Sequence, residues 1–179
     1  GRFFVNPINT LVYQPFTDTI TSLNPQGEMI PKYAMDFGKF RFPDALWDDK
    51  TEFRKQQDNY FNWLSLTETQ KSLFIYFYYN KTRFAGVLTL QDNGEGEIRG
   101  GPGMMVNDLD GGPDFWPNKS DGKKLVYTLL QPVKLVEQWQ NGEFENKEFK
   151  NKTMQKALMN MLNNLDESDN PILMVVELR

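Results

Sequence analysis

The side chains best placed to do chemistry sit together between residues 107 and 117, which read Asn-Asp-Leu-Asp-Gly-Gly-Pro-Asp-Phe-Trp-Pro. Asp108-Leu109-Asp110-Gly111 has the opening of a calcium loop. Calcium takes about six to eight oxygens, and an EF-hand loop also needs a distal glutamate at fixed spacing. Gly112-Pro113 breaks that spacing. The pattern is therefore read as a tight turn whose carboxylates accept backbone N–H bonds, with calcium as the weaker alternative. Asp108, Asp110 and Asp114 could also supply the carboxylate pair of a glycoside hydrolase, about 5–10 Å apart. One short loop rarely gives two acids different environments, so this is the second reading. Phe115 and Trp116 could stack on a sugar ring. The preferred expectation is that they plug a layer between sheets, with the indole N–H hydrogen-bonded. The expected ligand-binding set is Asn107, Asp108, Asp110, Asp114 and Trp116, with no catalytic residue, no metal and no cofactor assigned.

Composition narrows the chemistry further. The chain has 179 residues with neither cysteine nor histidine. Thiol chemistry, disulfides, the usual zinc ligand sets and the Cys or His catalytic triads are excluded. Any catalysis would rest on Asp, Glu, Lys, Tyr or Ser. The net charge is −4 and the lysines are dispersed, which argues against a nucleic-acid partner. No apolar run approaches the ~20 residues that span a bilayer. The chain opens Gly1-Arg2 rather than with methionine, so further sequence upstream is expected.

The elements that must hold this loop are mostly strands, in keeping with 14 Phe, 7 Tyr and 4 Trp. Strands are expected at 10–13 and 18–23 around the Pro15 corner. The turn Asn24-Pro25-Gln26-Gly27 leads to a third at 29–37, with Tyr33, Met35 and Phe37 on one face. A helix is expected at 48–57. Strands at 60–66, 73–79 and 84–90 follow, then a Gly- and Glu-rich loop at 92–103 with a brief strand at 97–99. The strand at 73–79 is apolar on both faces, Leu73, Ile75, Phe77 and Tyr79 on one and Phe74, Tyr76 and Tyr78 on the other. It should lie between two packed layers. A strand at 125–130 precedes a helix at 132–140 with its proline placed early. The clearest helix spans 148–165, where Met154, Ala157, Leu158, Met161, Leu162 and Leu165 form one apolar stripe that should bury on a sheet. The apolar run Ile172 to Leu178 is expected as a strand inside a sheet. Short strands and tight turns in groups suggest a sandwich or propeller blades.

Three segments carry a family resemblance. Pro15-Phe16-Thr17-Asp18-Thr19-Ile20 with Pro31-Lys32-Tyr33-Ala34-Met35-Asp36-Phe37-Gly38-Lys39 is similar to a recurring blade of uncharacterised six-bladed β-propeller proteins of Bacteroides and relatives. Asn107-Asp108-Leu109-Asp110-Gly111-Gly112 with Phe115-Trp116-Pro117 resembles a later loop, and Asp169-Asn170-Pro171-Ile172-Leu173-Met174 resembles the closing strand. The resemblance implies the C-terminal half of such a propeller; at about 40–45 residues per blade the chain makes about three blades in one domain over residues 1–179, and the one or two helices that the pattern inserts near the C-terminus depart from the family. It also implies export to the periplasm or outer membrane, often as a lipoprotein anchored by a lipid outside this chain, and no established activity. The functional expectation is a non-enzymatic binding or scaffold module of the cell envelope, with a protein or glycan ligand. The alternative is a carbohydrate-active enzyme. A partial propeller has open faces on its end blades, so either a homodimer or a sandwich-like arc closed by the helices is expected, the homodimer being preferred.

Overall fold

The structure is a computed structural model that describes residues 2–5, 10–91 and 95–178. It is mainly β, with three antiparallel sheets and few helices. The first sheet is a meander of β1 (Arg2–Val5), β2 (Thr10–Tyr13), β3 (Thr19–Leu23) and β4 (Met29–Ala34). The connector that follows carries 3-10 turns at Gly38–Phe40, Asp44–Leu46 and Gln57–Asn59 and the helix α1 (Lys50–Gln56). The second sheet is a meander of β5 (Asn62–Glu68), β6 (Ser72–Tyr79), β7 (Thr82–Thr89) and β8 (Ile98–Pro102). The third holds β9 (Lys119–Ser120), β10 (Leu125–Leu130) and β11 (Ile172–Glu177), with β10 in the middle. Two helices, α2 (Pro132–Gln140) and α3 (Lys152–Asn164), lie between β10 and β11.

Local chemistry accounts for the turns and caps. Asn80 and Lys81 both take positive φ, 47° and 60°, which matches the twist of the β6–β7 hairpin. Asn24 holds its turn by accepting from the N–H groups of Gln26 and Glu28. Asp49 and Asn151 cap α1 and α3 by accepting from the first free N–H groups of each helix. Phe16 sits at φ 64°, costly for a bulky residue. Its N–H donates to the Tyr13 hydroxyl at 3.0 Å, and its ring packs on Phe42, Trp47 and Phe53.

The second sheet is the middle layer. Leu66, Leu73, Ile75 and Leu88 pack on Leu11, Tyr13 and Ile20 of the first sheet. From the opposite face Phe74 and Ala85 pack on Phe115, Trp116 and Val126, with Met174 and Val176 alongside. The two-faced pattern of β6 is thus satisfied on both sides. The first strands of the three sheets approach one another, β1 to β5 and β5 to β9.

Several expectations need correction. β4 stops at Ala34, three residues early, yet Tyr33, Met35 and Phe37 do share the packed side. α3 starts at Lys152, where the extended Asn151 caps it, and the amides of Lys150 and Asn151 just before it donate to the carbonyls of Asp108 and Leu109. Its stripe packs partly on α2 and partly on the end of the third sheet, where Leu158, Met161 and Leu165 share a cluster with Leu130 of β10 and Ile172 of β11. Leu162 is buried against Leu135 and Phe144 beside α2, and Met154 is exposed. β11 is an edge strand rather than an interior one, because among the described residues only β10 pairs with it. Its side chains alternate, with Leu173 and Val175 exposed. β1 and β9 come in addition to the expected strands, the brief strand expected at 97–99 is β8 at Ile98–Pro102, and residues 92–94 of the loop lie outside the described residues.

Candidate functional site

The loop at 107–117 is a clasped turn. Asn107 donates to the Asp110 carboxylate at 2.6 Å and accepts from the Leu109 N–H at 3.2 Å. The same Asp110 oxygen accepts from the Gly112 N–H at 2.9 Å. Gly111 takes φ 74°, a conformation most side chains avoid. A Cβ on Gly112 would stand 3.0 Å from both Asp110 and Leu158, so the turn packs tightly on α3. Two lysines from the segment before α3 complete the clasp. Lys147 donates to Asp114 at 2.8 Å and to the Gly112 carbonyl at 2.9 Å. Lys150 pairs with Asp108. Each of the three aspartates is therefore engaged with a partner inside the chain. Among the described residues no group of three or more His, Cys, Asp or Glu is gathered as a metal site.

Beyond the clasp the chain runs into the interior. Trp116 is buried against Phe74, at a centroid distance of 5.9 Å, and Tyr76, at 5.6 Å. Its indole N–H points to the Ser65 hydroxyl at 3.4 Å. This is the plug anticipated from the sequence. Nearby, Thr67 donates to the Pro117 carbonyl at 2.9 Å, joining the second sheet to the end of the loop.

A cleft of about 930 Å³ opens where the loop, β10 and α2 meet the second sheet. Tyr76 and Trp116 line it together with Ser65, Asn118, Thr128, Gln131 and Gln138, and Asp114 and Lys147 stand at the same site. Asn118 donates to the Thr128 hydroxyl at 2.7 Å, and Gln138 donates to Glu143 at 2.9 Å. The structure thus brings Asp114 and Trp116 of the expected set to one cleft. Asn107, Asp108 and Asp110 lie outside its lining. Sequence reading missed Gln131, which precedes the proline that opens α2, and Gln138, which lies within that helix; neither carries a motif.

A second cleft, of about 1060 Å³, lies between β4 and β8. It is aromatic, with Tyr33, Phe37, Phe40, Phe61, Phe77 and Phe84 in its lining. At its edge Lys32 pairs at 2.7 Å with Glu68, which is 2% exposed, and the Tyr33 hydroxyl bonds the same carboxylate. Burial, followed by that bond and the nearby negative charge, pushes the Tyr33 phenol above its ordinary range.

The match to a family model runs from residue 2 to residue 177, over nearly the whole chain. The chain belongs to the family described as a domain of unknown function, DUF4934. None of the curated proteins is similar enough to count as a match. A crystal structure from Bacteroides fragilis, titled a "Putative exported protein", is similar at 19% identity with a TM-score of 0.62. The likeness covers 99% of this chain and 49% of that one, so the DUF4934 chain spans about half that protein's length. At this identity the likeness speaks for the fold. It agrees with a mainly β, multi-sheet reading and leaves the chemistry to the residues themselves.

Proposed function

We propose that this DUF4934 chain is a non-enzymatic binding module of the bacterial cell envelope, built as three blades of a propeller-like ring. The cleft at Trp116 and Asp114 is its ligand site, and the ligand is a glycan. The observation that carries the reading is the lining of that cleft: neutral amide and hydroxyl groups of Gln131, Gln138, Asn118 and Ser65 beside the aromatic side chains of Tyr76 and Trp116. Sugars offer hydroxyls to such groups and apolar C–H faces to rings. The internal pairing of Asp108, Asp110 and Asp114 supports binding over hydrolysis, since a catalytic acid must change protonation state beside the substrate. The convergence of β1, β5 and β9 supports the blade arrangement. Export is supported by the Bacteroides fragilis neighbour, which is described as a putative exported protein.

A glycan array read together with a hydrolysis screen tests this. We expect retention of at least one glycan class without product release. Gln131→Ala and Gln138→Ala should weaken retention and leave the melting temperature unchanged. Turnover that disappears in Asp114→Asn would replace the proposal with the carbohydrate-active alternative.

A further inference from the structure

The aromatic cleft between β4 and β8 is lined by chemistry unlike that of the cleft at Trp116. Its rings come from separate stretches of chain: Tyr33 from β4, Phe37, Phe40 and Phe61 from the connector, Phe77 from β6 and Phe84 from β7. Phe61 lies 5.0 Å from Phe37 and 4.9 Å from Phe77, and Phe77 stacks on Phe84 at 5.4 Å. The rings pack on one another, yet all six stay half-buried and turn part of their surface into the cleft. Both walls are built by residues 32–102, between the first two sheets and away from the end faces of the stack. The volume, about 1060 Å³, suits a small ligand rather than a protein surface.

The polar groups of the lining set the charge of that ligand. Among the described lining residues there is no Ser, Thr, Asn or Gln, and the Tyr33 hydroxyl is engaged with Glu68. What remains is Lys32, Asp36, Glu95 and Glu97, three carboxylates against one ammonium. That ammonium is itself paired with Glu68 at 2.7 Å. The carboxylates stand on both sides of the cleft, Asp36 just past β4 and Glu95 and Glu97 just before β8. Glu97 also faces Arg99 at 3.8 Å, with both side chains largely in solvent. Aromatic faces attract cations through the ring quadrupole. Two of these rings already do so within the chain: the Lys39 ammonium lies 5.2 Å from the Phe40 centroid and that of Lys32 5.5 Å from the Tyr33 centroid. We propose that this cleft binds a small organic cation, an amine or quaternary ammonium with an apolar body, held by the rings and by Asp36 and Glu95. It opens on the opposite face of the second sheet from the Trp116 cleft, and the proposal does not rest on the glycan reading.

Benzyltrimethylammonium is the probe, with benzyl alcohol and phenylacetate as its neutral and anionic counterparts. Isothermal titration calorimetry should show saturable binding of the cation, about tenfold tighter than either counterpart. Asp36→Asn and Glu95→Gln together should weaken the cation severalfold and leave the melting temperature unchanged, because both side chains are exposed. Phe84→Leu, which keeps the cleft apolar but removes a ring, should weaken the cation more than it weakens benzyl alcohol. Amide shifts in nuclear magnetic resonance spectra should centre on residues 33–40 and 95–102. Equal affinity for the three probes, or cation binding that the double variant leaves intact, would overturn the choice of a cation. Absence of saturation at millimolar concentration, or shifts centred on Trp116, would overturn the site itself.

Discussion

The second sheet is gripped on its two faces in different ways. Toward the first sheet the layer is mostly aliphatic, and its polar anchors include an ionic one: Glu68 faces Lys32 and Tyr33 from β4, while the Tyr13 hydroxyl donates to Asn62 as a neutral link. Toward the third sheet the layer is centred on a ring, Trp116, and its anchors are neutral: the Trp116 N–H to Ser65 and Thr67 to the Pro117 carbonyl. Both layers exclude water, but only one contains a charge that must stay paired. A buried ion pair adds little net stability over an apolar pair, yet losing one member is costly. A buried indole contributes mainly through volume and contact.

That contrast can be broken from either side. Trp116→Ala should cost about 3–5 kcal/mol in chemical denaturation, the range for emptying a buried aromatic site. Retention of full stability would show that the ring is not a plug. Glu68→Ala should cost about 1–3 kcal/mol by leaving the half-buried Tyr33 hydroxyl without its acceptor, while Lys32 keeps part of its hydration. Glu68→Gln should recover part of the loss, and equal losses for the two variants would show that charge is not what the site needs.

A pH scan sharpens the comparison. The folded-state pKa of Tyr33 lies above its unfolded value. Its proton is held more tightly in the folded chain, so stability should be flat through neutral pH and fall once the pH passes about 10, where the unfolded phenol ionises. Tyr33→Phe should flatten that alkaline limb, whereas Trp116→Ala should leave its shape unchanged. The smallest effect belongs to the surface clasp. Asp114→Asn, in a pair with both side chains partly exposed, should change stability by less than about 1 kcal/mol. A larger loss would move the clasp from the rim of the fold to its centre.

Much of this layout can be read in the chain, and the failures are instructive. β6 shows its place through apolar residues on both faces, since only a middle layer needs both. The turn at Asp110 is legible because Asx turns are local, and the Trp116 plug is legible because an indole between prolines rarely stays in water. The clasp is not legible, because Lys147 and Lys150 lie too far along the chain for spacing to signal it. The aromatic cleft draws Tyr33, Phe61, Phe77 and Phe84 from four strands or connectors, and no window contains it. β11 misleads for a different reason. Its unbroken apolar run suggests burial on both sides, but one side lines the core and the other is the bare end of the stack. Sequence hydrophobicity records that a surface avoids water, without recording whether the cover comes from the same chain.

The placement of α2 and α3 between β10 and β11 also sets an order in time. The first two sheets are meanders whose neighbours along the chain pair directly, so each hairpin closes a short loop. β11 must return to β10 across residues 131–171, and a longer loop costs more entropy before any ladder bond forms. Packing of α3 on α2 around Leu135, Phe144 and Leu162 shortens that search, because it brings the start of β11 back to the end of β10. The helical pair is therefore expected to guide folding, with the third sheet the last part to assemble: Leu162→Ala should slow refolding of the Trp116 environment more than it slows formation of the first two sheets, as stopped-flow fluorescence would show.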